Sequence, residues 1–482
     1  MTLSRFSFRE ISVKLFDYFA SSGASRCFRG AKVDDGRKIR WLLVGVEMFC
    51  FCIFFIGLSG CSTHSKRLME PRSLFHQGQM DECRLRLEKL TKNRSDRDVA
   101  KLDLAMVDLI SGRPKQAEQL LREARDRFEF LEQDSLAEKT VSIWTDDQQR
   151  AYAGEDYEKI LVYAFLALSN LMHDGGDAES YSLQLNDKQV TLSERALEKL
   201  GPQAAEKYSQ VPLGHYVRGM LRESSHHDYD DAMQSYHNVC ELCPNSQAFL
   251  WDFERARSGV HSSPGTGVLY VFALVGRGPH KIEVTEEPTS DALLIADRIV
   301  SVVGPYSVPP TIAPIKIPDI QLPPIEVDCI GVSIGGHAIG PTESVTNVEQ
   351  LALNTYAANR QAIVARAVAR RVIKKASIVA AKTTMGKDNN LTSFAMDAAG
   401  VVWEATESAD TRCWGLLPRD IQVLRVELPI GTHQINLSPL LSARQIGPTA
   451  STPIDIVDGR NSYLMCCFPD GKSIGQLVTG PK

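Results

Sequence analysis

An excess of positive charge is the first thing this chain lacks: 54 Lys and Arg stand against 59 Asp and Glu, a formal net charge of -5. A protein whose main task is to bind nucleic acid carries a basic footprint, so no nucleic-acid partner is expected. Cysteine is sparse, 11 in 482 residues, which excludes a small disulfide-held scaffold. No series of long apolar runs is present, which excludes a protein of many membrane spans. Nor is the chain rich enough in Gly and Pro to be a collagen-like fibre. Of the short sequence signatures of catalysis, the metalloprotease pattern His-Glu-x-x-His is absent. Gly331, Gly335, Gly336 and Gly340 are followed by no Gly-Lys-Ser/Thr at the spacing of a phosphate loop, so they do not make one. What is there is ordinary globular composition, 43% hydrophobic and 23% charged, enough for two or three domains with a sizeable core.

The most specific signal lies at residues 37–61. Arg37, Lys38 and Arg40 precede an apolar run from Trp41 through Ile56, broken by Glu47, and the run closes with Leu58-Ser59-Gly60-Cys61. A basic patch, a short apolar stretch and small residues at the end form a secretory signal. The competing reading is a transmembrane helix, for which the stretch is slightly short and Glu47 costly. The Leu-Ser-Gly-Cys ending resembles the lipobox of bacterial lipoproteins. That resemblance implies cleavage before Cys61 and acylation of its thiol and amino group, and several acyl chains on one residue anchor firmly. Ser62 follows, without an Asp that would retain the protein at the inner membrane, so the resemblance implies the outer membrane, facing the periplasm. The region then left carries Cys83, Cys240, Cys243, Cys329, Cys413, Cys466 and Cys467 besides Cys61. An odd number of free thiols cannot all pair internally, so at least one is expected to stay buried and inert.

Residues 68–258 read as helices, with Leu, Ala and Val at three- and four-residue spacing. Tyr229, Ala232, Tyr236, Val239, Leu242 and Pro244 fall as in the second helix of a tetratricopeptide (TPR) repeat, and Leu104, Ala105, Gly112, Ala117, Leu121 and Ala124 form a looser copy. A third helical pair is expected over 157–200. Such stacks present a binding surface; a plain packed helical domain is the other reading. Cys240-x-x-Cys243 has no second pair to complete a zinc site, and His226-His227 reads as a loop between two helices.

Composition changes after residue 259. Val268 to Val275 is a continuous run of strand formers, expected to be buried on both faces. His280–Thr285 alternates as a half-exposed partner strand. Seven prolines between 305 and 324 leave only an extended edge, and Ile325–Ile334 reads as a strand. Thr346 with Glu349 gives a capping box opening a long helix towards Ala381. Cations cluster on its second half; Arg366, Arg370, Arg371 and Lys374 are the candidates for contact with anionic lipid headgroups, against a plain solvated face. Residues 421–428 and 433–437, joined by a turn at 429–432, read as a β-hairpin. Neighbours on a strand point to opposite faces, so Cys466 and Cys467 should not bridge each other.

The fold expected is therefore α+β: residues 1–60 as extension and signal peptide, an all-α TPR-like domain over 61–260, and a mixed α/β domain over 261–482. In its blocks the chain resembles an uncharacterised family of bacterial TPR-like envelope lipoproteins. The matching stretches are Tyr152–Glu158 with Leu161–Leu168, Gly267–Val275 with Gly278–Ile282, Ala365–Arg370, Thr406–Asp410 with Arg412, Trp414, Leu417 and Pro418, and Arg425–Leu428 with Gly431–His433. The long stretch before the basic patch and the many cysteines depart from that pattern. The family is known as envelope lipoproteins without an assigned activity. The function expected of this chain is that of a membrane-anchored binding or scaffolding component, with one or more envelope proteins as partners and without cofactor, metal or catalytic residue. Asp410, Arg412 and Trp414 are expected to form a structural ion-pair junction. The alternative is a glycan- or peptidoglycan-modifying enzyme using Glu404 and Asp410, with Glu407, Trp403 and Trp414 beside them.

Overall fold

The computed structural model describes residues 64–137, 151–208, 210–303, 307–309, 312–384 and 408–481. Cys61, Trp403, Glu404 and Glu407 lie outside them. Residues from Thr63 to Lys482 form one compact unit of α+β architecture, with twelve helices and twelve strands among the described residues.

Ten of the helices precede the first strand: α1 (His64–His76), α2 (Met80–Leu90), α3 (Arg97–Ile110), α4 (Pro114–Ala137), α5 (Asp156–Leu171), α6 (Ala178–Leu200), the short α7 (Pro202–Ala205), α8 (Leu213–Glu223), α9 (Tyr229–Leu242) and α10 (Gln247–Arg257). Most pack on a neighbour in sequence, and α8 packs on both α6 and α9. The small residues singled out in the sequence sit at these contacts. Ala117, Leu121 and Ala124 of α4 are buried, and the turn joining α3 to α4 passes through Gly112 at φ +74°. His226 and His227 fall between α8 and α9 as expected.

Strand β1 (Thr266–Val275) is buried along nine consecutive positions. It is the centre of a five-stranded sheet ordered β12 (Val478–Thr479), β11 (Asn461–Phe468), β1, β7 (Asp420–Pro429), β6 (Glu343–Asn347). It runs parallel to β11 and antiparallel to β7. Tyr270, Phe272 and Leu274 face the helices, joined there by Trp414, Met465 and Cys467. The alternate residues Leu269, Val271 and Ala273 face a second sheet with Leu464 and Cys466. That sheet is ordered β10 (Ala450–Ile456), β8 (Gly431–Leu441), β4 (Cys329–Ile334), β5 (His337–Pro341), with the two-residue β9 (Arg444–Gln445) beside β8. The order is therefore helices, sheet, sheet. Cys466 and Cys467 point into different cores, and all seven described cysteines are free thiols. Burial holds the Cys83 and Cys467 thiols up at about 12, so neither is a nucleophile at neutral pH.

A third, smaller core joins α11 (Ser290–Val303) and β3 (Ile315–Gln321) to the second half of α12 (Val348–Thr384). Four local expectations differ from the observed structure. β2 (His280–Glu286) alternates as expected, but its partner is the proline-bearing edge strand β3, in a separate two-stranded sheet. The expected hairpin of β7 and β8 does not form: β7 pairs with β1 and β6, and β8 with β10, β4 and β9. The chain changes sheet at Gly431, whose φ of +134° is open to glycine and to few other residues. The cap of α12 is also one residue later than the sequence pattern indicates. Asn347 Oδ1 accepts from Gln350 N at 2.8 Å, while the Thr346 hydroxyl donates to Val345 O. Strand β4 starts at Cys329, later than Ile325.

Candidate functional site

The segment 408–418 lies against the helices and is bound there through side chains. Arg412 donates to both carboxylate oxygens of Asp410, Nε to Oδ1 at 2.8 Å and Nη2 to Oδ2 at 2.7 Å. Its guanidinium lies 5.4 Å from the centre of the Tyr152 ring. Burial pushes the Asp410 carboxyl up, but the hydrogen bonds and charge of Arg412, with Lys281 behind, outweigh it and hold it below the usual range. A general acid needs the opposite shift. Asp410 is thus an ionised anchor, and Glu404, its proposed companion, lies outside the described residues.

Trp414 is fully buried, tilted against Phe165 at 5.4 Å, and its backbone N donates to Glu158 Oε1 at 2.8 Å. Glu158, itself fully buried, also accepts from the Tyr152 and Tyr157 hydroxyls and from Glu155 N. Its carboxyl is raised by burial first and by the charge of Glu155 second, against Lys281, Tyr152 and Trp414. Nearby, Asp103 accepts from Arg72 Nε at 3.0 Å and from Leu416 N at 3.2 Å. Arg72 Nη2 reaches Cys413 O at 2.6 Å. The carboxylates thus spend their acceptor capacity inside the molecule, as a structural junction does. Glu158 and Asp103 were not singled out in the sequence. The trace that could have found Glu158 is its place three residues after Glu155 at the start of a helix, a capping-box spacing.

On α12 the cations expected to meet lipid headgroups have distinct surroundings. Arg366 is exposed, with Nε on Ala362 O. Arg371 donates to Ala313 O at 2.8 Å and Pro314 O at 2.9 Å, tying down the proline-rich stretch. Arg370 is half-buried, and the Lys374 side chain lies outside the described residues.

A second polar arrangement lies in a half-open cleft of about 350 Å³ between α6, α8 and α9. Asn186, Asp187 and Val190 come from α6, His215 from α8, and Asn238 and Glu241 from α9. The amide nitrogens of Asn186 and Asn238 each lie 3.4 Å from His215 Nδ1. Burial, with the charge of Arg218, pushes the imidazole below its ordinary value, so it is neutral at pH 7 and presents an acceptor to both amides. The lining is therefore amides and a neutral imidazole, with carboxylates at the rim. No short motif announces it, because its residues come from three helices.

Beyond the cleft, the outward face of α6 carries exposed Ser180, Leu183, Asp187, Val190, Glu194 and Leu197. On its other flank Lys188 and Arg195 turn to α4, donating to Glu132 Oε2 at 2.9 Å and 2.7 Å. Burial pushes the Glu132 carboxyl up, but Lys159 and these two cations bring it down to about 2.

Among the described residues no group of His, Cys, Asp and Glu is placed to hold a metal ion, and no helix is long and apolar enough to cross a membrane. Set against models of known protein families, curated proteins and solved structures, the chain matches none.

Proposed function

We propose that this protein is a lipoprotein of the bacterial outer membrane, tethered at Cys61, whose helical layer binds a partner protein of the envelope on the periplasmic side. The helices form a degenerate TPR-like array in this reading. Its support is the paired packing of α3 with α4 and α8 with α9, small residues at the contacts and Gly112 at a turn. The observation that carries the binding function is the contrast between two polar regions. Around Asp410 and Glu158 the described carboxylates are engaged internally, whereas the cleft beside α6 is open to solvent, polar in its lining, and bordered by Asp187, which makes no ion pair among the described residues. A binding component needs the second kind of surface and no chemistry of its own.

The anchor is tested by fractionation. Wild-type protein should sediment with membranes and enter the detergent phase, while Cys61→Ser should appear in the soluble fraction after cell disruption or stay as an uncleaved precursor of higher mass. A Cys61→Ser chain that remains in the membrane fraction at wild-type mass would remove the lipoprotein reading.

A further inference from the structure

The solvent face of α6 carries an exposed apolar residue at every seventh position. Its exposed residues Ser180, Leu183, Asp187, Val190, Glu194 and Leu197 follow one another at alternating steps of three and four. That is the spacing of a coiled-coil seam. Every seventh residue is apolar and open to solvent, with Leu183 42%, Val190 54% and Leu197 52% exposed. Between them stand carboxylates, and Asp187 and Glu194 make no ion pair among the described residues. The cations of the helix do not neutralise this ridge, because Lys188 and Arg195 are bound to Glu132 on the far flank. Lys199, at the end of the helix, is the one exposed cation on α6.

We propose that this ridge is the docking rail for an amphipathic helix of the partner protein, apolar at every seventh position and carrying Lys or Arg between. The inference rests on the binding reading above and names the chemistry of the ligand. Repeat distance selects a helix over a strand. Seven residues of α-helix rise about 10.5 Å, so the three apolar teeth of α6 match another helix read in heptads. An extended peptide repeats on one face about every 6.7 Å and so misses the middle tooth by about 3 Å. Charge selects the sign: basic side chains set between the apolar ones meet Asp187 and Glu194. The amides of Asn186 and Asn238, alongside in the cleft, take polar side chains from the flank of the same helix.

The test uses the full-length protein in detergent and a labelled 21-residue helical peptide with Leu at every seventh position and Lys between. Fluorescence anisotropy should show saturable binding. Val190→Asp should weaken it at least tenfold, as should Asp187→Lys with Glu194→Lys. A peptide with Glu in place of Lys should bind that doubly reversed protein at least tenfold better than it binds the wild type. These residues are exposed, so unchanged urea midpoints certify the fold of each variant. No saturable binding to the wild type, or equal affinities across the charge exchange, overturns the proposal. So does a wild-type dimer in sedimentation that Val190→Asp dissociates, since the rail would then belong to a second copy. The Cys61→Ser fractionation is independent of the ridge, so failure here leaves the anchored-lipoprotein reading to stand or fall separately.

Discussion

Replacing Glu158 by Ala should lower the stability of the folded chain by about 3–5 kcal/mol, read as a fall in the urea midpoint. The size follows from what the carboxylate satisfies. Trp414 N donates to it at 2.8 Å and Glu155 N at 3.1 Å, and two tyrosine hydroxyls converge on it from Tyr152 and Tyr157. Every one of these donors would lose its acceptor in a site closed to solvent, and unsatisfied buried donors cost about 1–3 kcal/mol each. Glu158→Gln keeps one acceptor oxygen and should cost less, about 1–2 kcal/mol. The two variants also differ from wild type in pH dependence. The carboxyl of Glu158 is raised in the folded protein, so between its unfolded and folded values the native state holds the proton that the unfolded state has released. Stability from this group therefore falls as pH rises through that window above about 4.5, and Glu158→Gln should remove that fall. A Glu158→Ala protein within about 1 kcal/mol of wild type would mean that the junction is not what binds the 408–418 segment to the helices.

Gly475→Ala should be the other severe substitution. Gly475 has φ +70°, and a Cβ there would stand 2.2 Å from the carbonyl oxygen of Ile110. Left-handed backbone alone costs Ala about 1–2 kcal/mol, and relieving the clash must move the segment. That segment is a strap from the sheet back to the helices: Ile474 N donates to Cys467 O at 3.0 Å, and Gln476 N to Ile110 O at 2.7 Å. Ile110 ends α3, so the strap satisfies one of the carbonyls that every helix leaves open at its C-terminus. A loss of about 2–4 kcal/mol is expected, with faster amide exchange across 474–481. Gly471→Ala is the control, because its Cβ would meet nothing nearer than 3.5 Å. Equal stability of the two variants would contradict the strap.

The sequence made these regions legible to different depths, for physical reasons. Strand β1 could be read as doubly buried because a sandwiched strand must be apolar on both sides, and the opposite orientations of Cys466 and Cys467 follow from the pleat itself. The pairing of β7 could not be read. Alternation says that a segment is a strand but not which strand lies beside it, and the nearest run in sequence, β8, belongs to the other sheet. The cap of α12 failed by one residue because Thr346 and Asn347 are both good capping types. At the candidate site, Asp410 and Arg412 are two residues apart and their pairing is a local matter. Glu158 meets Trp414, and Asn186 and Asn238 meet His215, only through tertiary packing. The 42–54% exposure of the apolar teeth on α6 likewise depends on which face of the helix the neighbours leave open.

The central claim is that the uncovered ridge of α6 meets a partner helix in the envelope, and site-specific photo-crosslinking in intact cells tests it most directly. A benzophenone side chain would be placed singly at Leu183, Val190 and Leu197, and for comparison at Val302 and Val457, which are exposed apolar residues on other elements. The account predicts one and the same adduct from all three ridge positions, absent from the two comparison positions and lost when Asp187 and Glu194 are both changed to Lys. Adducts of equal yield at ridge and comparison positions, or none at the ridge, would contradict it.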